Sequence, residues 1–164
     1  MTSTIPTSDV ALRTQGLTKH YGDVRARVAL TLDVLPGEVF GGLGPNGAGT
    51  TTTIRCVMDE IRPTSGQASI LGMDCHTESV EIRRQIGYLP SDLALYPNLT
   101  GKDTLTYFAN LRGGVDWQYV HELSERLGAQ LDKKVGDLSS GNRQKVGVVQ
   151  AFMNRPRLLI MDEP

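Results

Sequence analysis

Gly44 and Gly49 stand at the spacing G-x-x-x-x-G, with Pro45, Asn46, Gly47 and Ala48 between them and threonines from Thr50 to Thr53 after them. The apolar run at 38–43 leads into this loop, and 51–60 has helical character beyond it. Glycines let backbone N–H groups converge without side chains intervening, and a following helix turns the positive end of its dipole toward an anion. Strand, glycine loop and helix in that order predict a phosphate cradle. The usual pattern closes with G-K-[ST]; here Thr50 stands where the lysine belongs, and Thr51 keeps the hydroxyl that ligates Mg²⁺. A purely structural glycine turn is the alternative, and it leaves the later motifs unexplained.

Around the loop the chain alternates between strand and helix. Residues 28–34 read as a half-buried strand turned by Pro36-Gly37, and 67–71, 86–89 and 158–161 as further short strands. Residues 100–111 predict a helix with Thr100 as N-cap and Asp103 in its first turn. A second helix follows over 117–127, with Val120, Leu123 and Leu127 at core spacing, and a third over 139–153. The pattern predicts an α/β fold with a mainly parallel sheet. It carries a helical insertion over about 98–140, whose two helices end by Lys134. Residues 1–10, rich in Ser, Thr and Pro, predict a loose tail, without the basic start and apolar run of a signal peptide, and 11–164 are expected to form one partial domain, its sheet incomplete at the C-terminus.

Charge and composition exclude several classes. A formal net charge of −1 gives no broad basic field, so nucleic acid is not an expected partner. No window reaches the roughly 20 apolar residues that span a bilayer. Work at a membrane therefore goes through a partner. Cys56 and Cys75 are too few and too far apart for a metal motif and read as reduced cytosolic thiols.

Two more stretches carry chemistry. At 138–144, Leu-Ser-Ser-Gly-Asn-Arg-Gln opens the third helix with a serine hydroxyl and a glycine, again an anion-compatible helix start. Taken singly, it is no more than a capped helix. At 158–164 an apolar strand ends in Asp162-Glu163-Pro164. An acid at the end of a buried strand holds Mg²⁺, directly or through water, and a second acid can polarise an attacking water. A solvated strand end is the alternative.

In this order the three motifs resemble those of the nucleotide-binding domain of ABC transporters. Residues 44–51 resemble the Walker A loop, 138–142 the signature, and 158–163 Walker B with its catalytic glutamate, Glu163. Tyr21, followed by Gly22, matches the aromatic residue that stacks on adenine; a surface tyrosine before a turn is its alternative. The resemblance covers about 11–164 and implies a P-loop NTPase-type fold with ATP and Mg²⁺ as cofactors. It implies that Tyr21, Gly44, Pro45, Asn46, Gly47, Ala48, Gly49, Thr50, Thr51 and Thr52 hold the nucleotide, and Thr51 and Asp162 the metal. Ser139 and Gly141 would meet the γ-phosphate held by a second ATP-binding domain, identical or different. A membrane-spanning permease subunit is the other implied partner, which puts the chain in the cytoplasm at the membrane face. The text at 86–90 and 95–100 resembles the export branch, bacterial drug and multidrug exporters whose ATPase and membrane subunits are separate chains.

Departures from the family pattern bear on activity. Without the lysine, Thr50 predicts residual nucleotide binding with little or no hydrolysis. Ser91 stands where the Q-loop glutamine is expected; Ser140 and Asn142 are milder changes within the signature. The sequence stops at Pro164, where the family continues with a D-loop, further strands and a switch histidine, and His20, His76 and His121 are surface residues outside that position. An isolated chain is therefore expected to be poorly stable, with the last strand short of neighbours. Besides the transporter ATP-binding subunit, these departures admit a non-hydrolysing regulatory module or an inactive truncated gene remnant.

Overall fold

The computed structural model describes residues 10–21, 24–42 and 49–163 (of 24–28, the backbone only). The chain divides between Arg83 and Arg84 into two units.

In the first unit, β1 (Leu12–Tyr21) pairs antiparallel with β2 (Val24–Val34) on one edge and β3 (Ser65–Ile70) on the other. The two-residue strand β4 (Met73–Asp74) completes a sheet of order β2-β1-β3-β4. β1 is not legible in the sequence because its inward positions include threonines. Thr14 is fully buried, and its hydroxyl donates to the Leu30 carbonyl at 3.1 Å. The Thr18 hydroxyl donates to the Gly16 carbonyl and accepts from the Ala29 N–H, both at 2.9 Å. Backbone partners thus remove the cost of burying these hydroxyls. Across the β1–β2 ladder, Arg13 faces Asp33 and grips it with two 2.8 Å hydrogen bonds.

Helix α1 (Thr50–Val57) follows, shorter than predicted. Asp59 adopts φ +56° and the Glu60 N–H bonds back to the Arg55 carbonyl, a left-handed stop that closes the last turn. Cys56 and Val57 face inward. Helix α2 (Ser79–Gln85), also absent from the sequence reading, is the element in which the first unit ends.

In the second unit, β5 (Ile86–Leu89) and β6 (Leu158–Met161) form a parallel pair in register from Ile86 opposite Leu158 to Leu89 opposite Met161. Helix α5 (Ser140–Phe152) packs on β5. A Cβ on Gly87 would overlap the Ala151 carbonyl, so only glycine lets the helix backbone come this close. Against α5 lie α3 (Gly101–Leu111) and α4 (Trp117–Leu127), around a core of Leu105, Val120, Leu138, Val146, Val149 and Met153. Leu123 and Leu127 pack on its margin. Thr100 caps α3 as predicted, in a reciprocal box: its Oγ1 accepts from the Asp103 N–H at 3.0 Å, and its own N–H donates to Asp103 at 3.3 Å.

Two expectations are corrected. The stretch 38–42 forms no strand; Val39 is 99% exposed and Phe40 50%, while Leu43 lies outside the described residues. A strand exists through its ladder, and no described strand pairs with this one, while Gly41 and Gly42 offer no side chains to pack. Four of the described strands form an antiparallel sheet, with parallel pairing confined to β5 and β6. For two of the three antiparallel pairs the cause is connection length. Two residues separate β1 from β2 and β3 from β4, and so short a link can only reverse the strand.

Candidate functional site

In the first unit the site is built on the opening of α1. Gly49 is its N-cap at φ +79°, a left-handed conformation that favours glycine, and it makes no side-chain cap hydrogen bond. The first intrahelical bond runs from the Thr53 N–H to the Gly49 carbonyl at 2.8 Å. The N–H groups of Thr50, Thr51 and Thr52 therefore precede the helical ladder, at the positive end of the dipole. Gly44, Pro45, Asn46, Gly47 and Ala48 lie outside the described residues.

Tyr21 ends β1 and is 47% exposed; a residue that stacks on a ligand must be accessible. The Lys19 ammonium lies over that ring, 5.2 Å from its centroid. Sequence reading missed Lys19, although two residues apart on a strand means the same face.

In the second unit Ser139 caps α5, its Oγ accepting from the N–H of Asn142 at 3.3 Å and from Asn142 Nδ2 at 3.2 Å. Ser139 itself is exposed. Gly141 follows in the first turn, and among the described residues nothing lies within 4 Å of where its Cβ would be. At the other end of the motif order, Asp162 is only 3% exposed, and its N–H extends the β5–β6 pairing by donating to the Leu89 carbonyl at 2.9 Å. It therefore sits at the carboxyl end of the parallel strands, where open α/β sheets place their ligands. Glu163 beside it is exposed at φ +52°, and its carbonyl accepts from Gln144 Nε2 at 3.4 Å. Gln144, also missed by sequence reading, thus ties the start of α5 to the end of β6.

Other candidates settle plainly. Ser91 is exposed, as are His76 and His121, while His20 is half-buried. Cys56 and Cys75 are buried free thiols; burial, with Asp74 and Asp59 nearby, pushes the Cys75 thiol up to about 12, which makes it inert at neutral pH. Among the described residues no helix is long and apolar enough to cross a membrane.

The ABC transporter family profile matches residues 28–164. The chain belongs to the ABC transporter family. The bacitracin transport ATP-binding protein of Bacillus licheniformis is 39% identical over 155 residues, which cover 93% of this chain and 51% of that protein. An uncharacterized ABC transporter ATP-binding protein of Bacillus subtilis (strain 168) is 37% identical over 155 residues, covering 93% of this chain and 50% of its own length. The chain thus spans about half the length of these relatives. Among solved structures, an ATP-binding subunit of an ABC transporter superposes with a TM-score of 0.83 at 32% identity, over 94% of this chain and 66% of the other. The fold of this ABC transporter chain is accordingly the α/β, P-loop NTPase-type fold of its relatives.

ATP and Mg²⁺ binding is typical of that family, and the residues present fit both groups. For the triphosphate, the observation is the glycine cap of α1, a residue with no side chain of its own to cap the helix start. For the metal it is donor chemistry: the Thr51 hydroxyl in the first unit and the Asp162 carboxylate in the second are each hard oxygen donors of the kind Mg²⁺ takes. Among the described residues no three His, Cys, Asp or Glu gather into a cage. Mg²⁺ needs none, since it usually keeps waters and takes phosphate oxygens.

Proposed function

We propose that this chain is the ATP-binding part of an ABC exporter, acting at the cytoplasmic face of a membrane through a separate permease subunit and paired with a second ATP-binding domain. The observation that carries the reading is the glycine-capped start of α1, directly after the G-x-x-x-x-G loop, in a chain of this family. The relative named for bacitracin transport supports a transporter role, and the resemblance of 86–90 and 95–100 to exporters carries the direction.

In this reading Gly44, Pro45, Asn46, Gly47, Ala48 and Gly49 cradle the phosphates with backbone N–H groups, joined by the first turn of α1 from Thr50 to Thr52. Tyr21 offers its exposed ring to adenine. Thr51 and Asp162 are the oxygen ligands for Mg²⁺, which when bound offsets the charge of the transferring phosphoryl group. Glu163 orients and deprotonates water, while Ser139 and Gly141 serve the triphosphate held by the paired domain. The helices around 98–140, with the Ser91 segment, pass nucleotide-driven closure to the permease. Thr50 donates a hydrogen bond where the family has a cation, so binding outlasts turnover.

That same substitution favours a second reading, a non-hydrolysing domain that pairs with a competent partner. Photo-crosslinking with radiolabelled 8-azido-ATP tests the proposal. Labelling that unlabelled ATP competes away supports it. No labelling, alone or with a second ATP-binding domain present, refutes it. Phosphate release measured in the same two mixtures separates the exporter ATPase from the non-hydrolysing partner.

A further inference from the structure

The exposed ring of Tyr21 is not left to its own rotamers. Lys19 projects from the same face of β1, and its ammonium lies over the Tyr21 ring at 5.2 Å from the centroid. The lysine is itself pinned: Nζ donates to the carbonyl of Arg62, in the segment after α1, at 2.7 Å. The cation is thus held by backbone a few residues past the end of α1, and its charge rests on the aromatic face. A tyrosine at a strand end, 47% exposed, otherwise swings between χ1 wells and loses that freedom only when a ligand arrives. A cation over the ring restrains it before binding, and the 47% exposure of Tyr21 leaves surface for a planar partner.

We infer that Lys19 is a positioning residue for the adenine base, acting through Tyr21. The inference rests on the reading of Tyr21 as the stacking residue. A cation–π contact at an exposed site is modest, so its loss reads as a roughly two- to five-fold weakening of ATP binding.

The test is a double-mutant cycle on MgATP affinity in the full chain, by calorimetry, with Lys19→Met, Tyr21→Leu and both together. Lys19→Met is expected to weaken ATP two- to five-fold and Tyr21→Leu more strongly, with no further loss in the double variant. Lys19→Arg, which keeps a cation over the ring, is expected to bind ATP as the parent does. Equal losses from Lys19→Met with and without the ring overturn the inference, because the lysine then acts independently of Tyr21. So does an unchanged affinity in Lys19→Met. If ATP binds and Tyr21→Leu changes nothing, the stacking role itself is wrong; if ATP does not bind at all, the nucleotide reading falls and the inference with it. Thermal melts of each variant identify a loss that comes from unfolding, and a Lys19→Met loss without Lys19→Arg rescue counts against the inference.

Discussion

Restoring a lysine at position 50 tests what the threonine there costs. Thr50 is the first residue of α1, and Cα–Cβ bonds in a helix tilt toward its N-terminus. Its methyl Cγ2 accordingly lies 3.4 Å from where a Cβ on Gly42 would sit. A lysine placed there extends in the same direction. Without ligand the change is nearly neutral. A cation at a helix N-terminus costs about 0.3–1 kcal/mol, and exchanging a β-branched residue for a straight one recovers a few tenths. With a triphosphate in place, a charge-assisted hydrogen bond adds about 1.5–3 kcal/mol, a roughly 10- to 100-fold gain in affinity. Saturating ATP then raises the melting temperature of Thr50→Lys by about 3–11 °C more than that of the parent. Thr50→Met, with similar length and no charge, isolates the helix contribution and is expected to show none of this gain. The assays are an ATP binding isotherm and thermal melts with and without MgATP. An unchanged isotherm, or an equal gain in Thr50→Met, refutes the reasoning.

Three further outcomes follow from the geometry. Gly87→Ala drives a methyl into the Ala151 carbonyl and to within 2.8 Å of Leu159 Cδ1, so α5 must lift from β5. A loss of roughly 1–3 kcal/mol is expected in denaturant melts, and unchanged stability contradicts the close packing. The hydrogen bonds from Arg13 hold the Asp33 carboxyl below its ordinary range. The stabilisation is therefore present above the usual carboxylate pKa and is lost as pH falls through the lowered value; an NMR titration should find that midpoint, and Arg13→Met should return it to normal. The Cys75 thiol, pushed up to about 12 by burial first and by Asp74 and Asp59 next, should resist alkylation at pH 8 until the chain is unfolded. Folding favours its neutral form, so the contribution of Cys75 holds below about pH 9 and declines as pH rises toward 12. Cys75→Ala should remove that part of the alkaline decline.

Local patterns carried far where they did not depend on neighbours. Thr100 with Asp103, Ser139 before α5 and the run 117–127 are helix signals complete within a few residues, and the structure reproduces them. The strand expected at 38–43 failed over its described part, 38–42, for the opposite reason, because an apolar run becomes a strand only when another strand accepts its hydrogen bonds. β1 was hidden by buried threonines whose hydroxyls find backbone partners on a neighbouring strand, a fact no window along the chain contains.

The sequence by itself determined the chemistry: a glycine-spaced loop, a lysine position filled by Thr50, a serine-glycine helix start and a pair of acids after an apolar strand, in an order that marks the family. Such motifs are contiguous because backbone N–H groups and capping side chains act within one turn. Only the tertiary structure decided that Asp162 is buried while Glu163 beside it is exposed, that Gln144 reaches the Glu163 carbonyl, and that Lys19 rests on Tyr21. Burial and contacts of this kind are set by which elements lie against each other, and that is fixed by packing rather than by any residue alone.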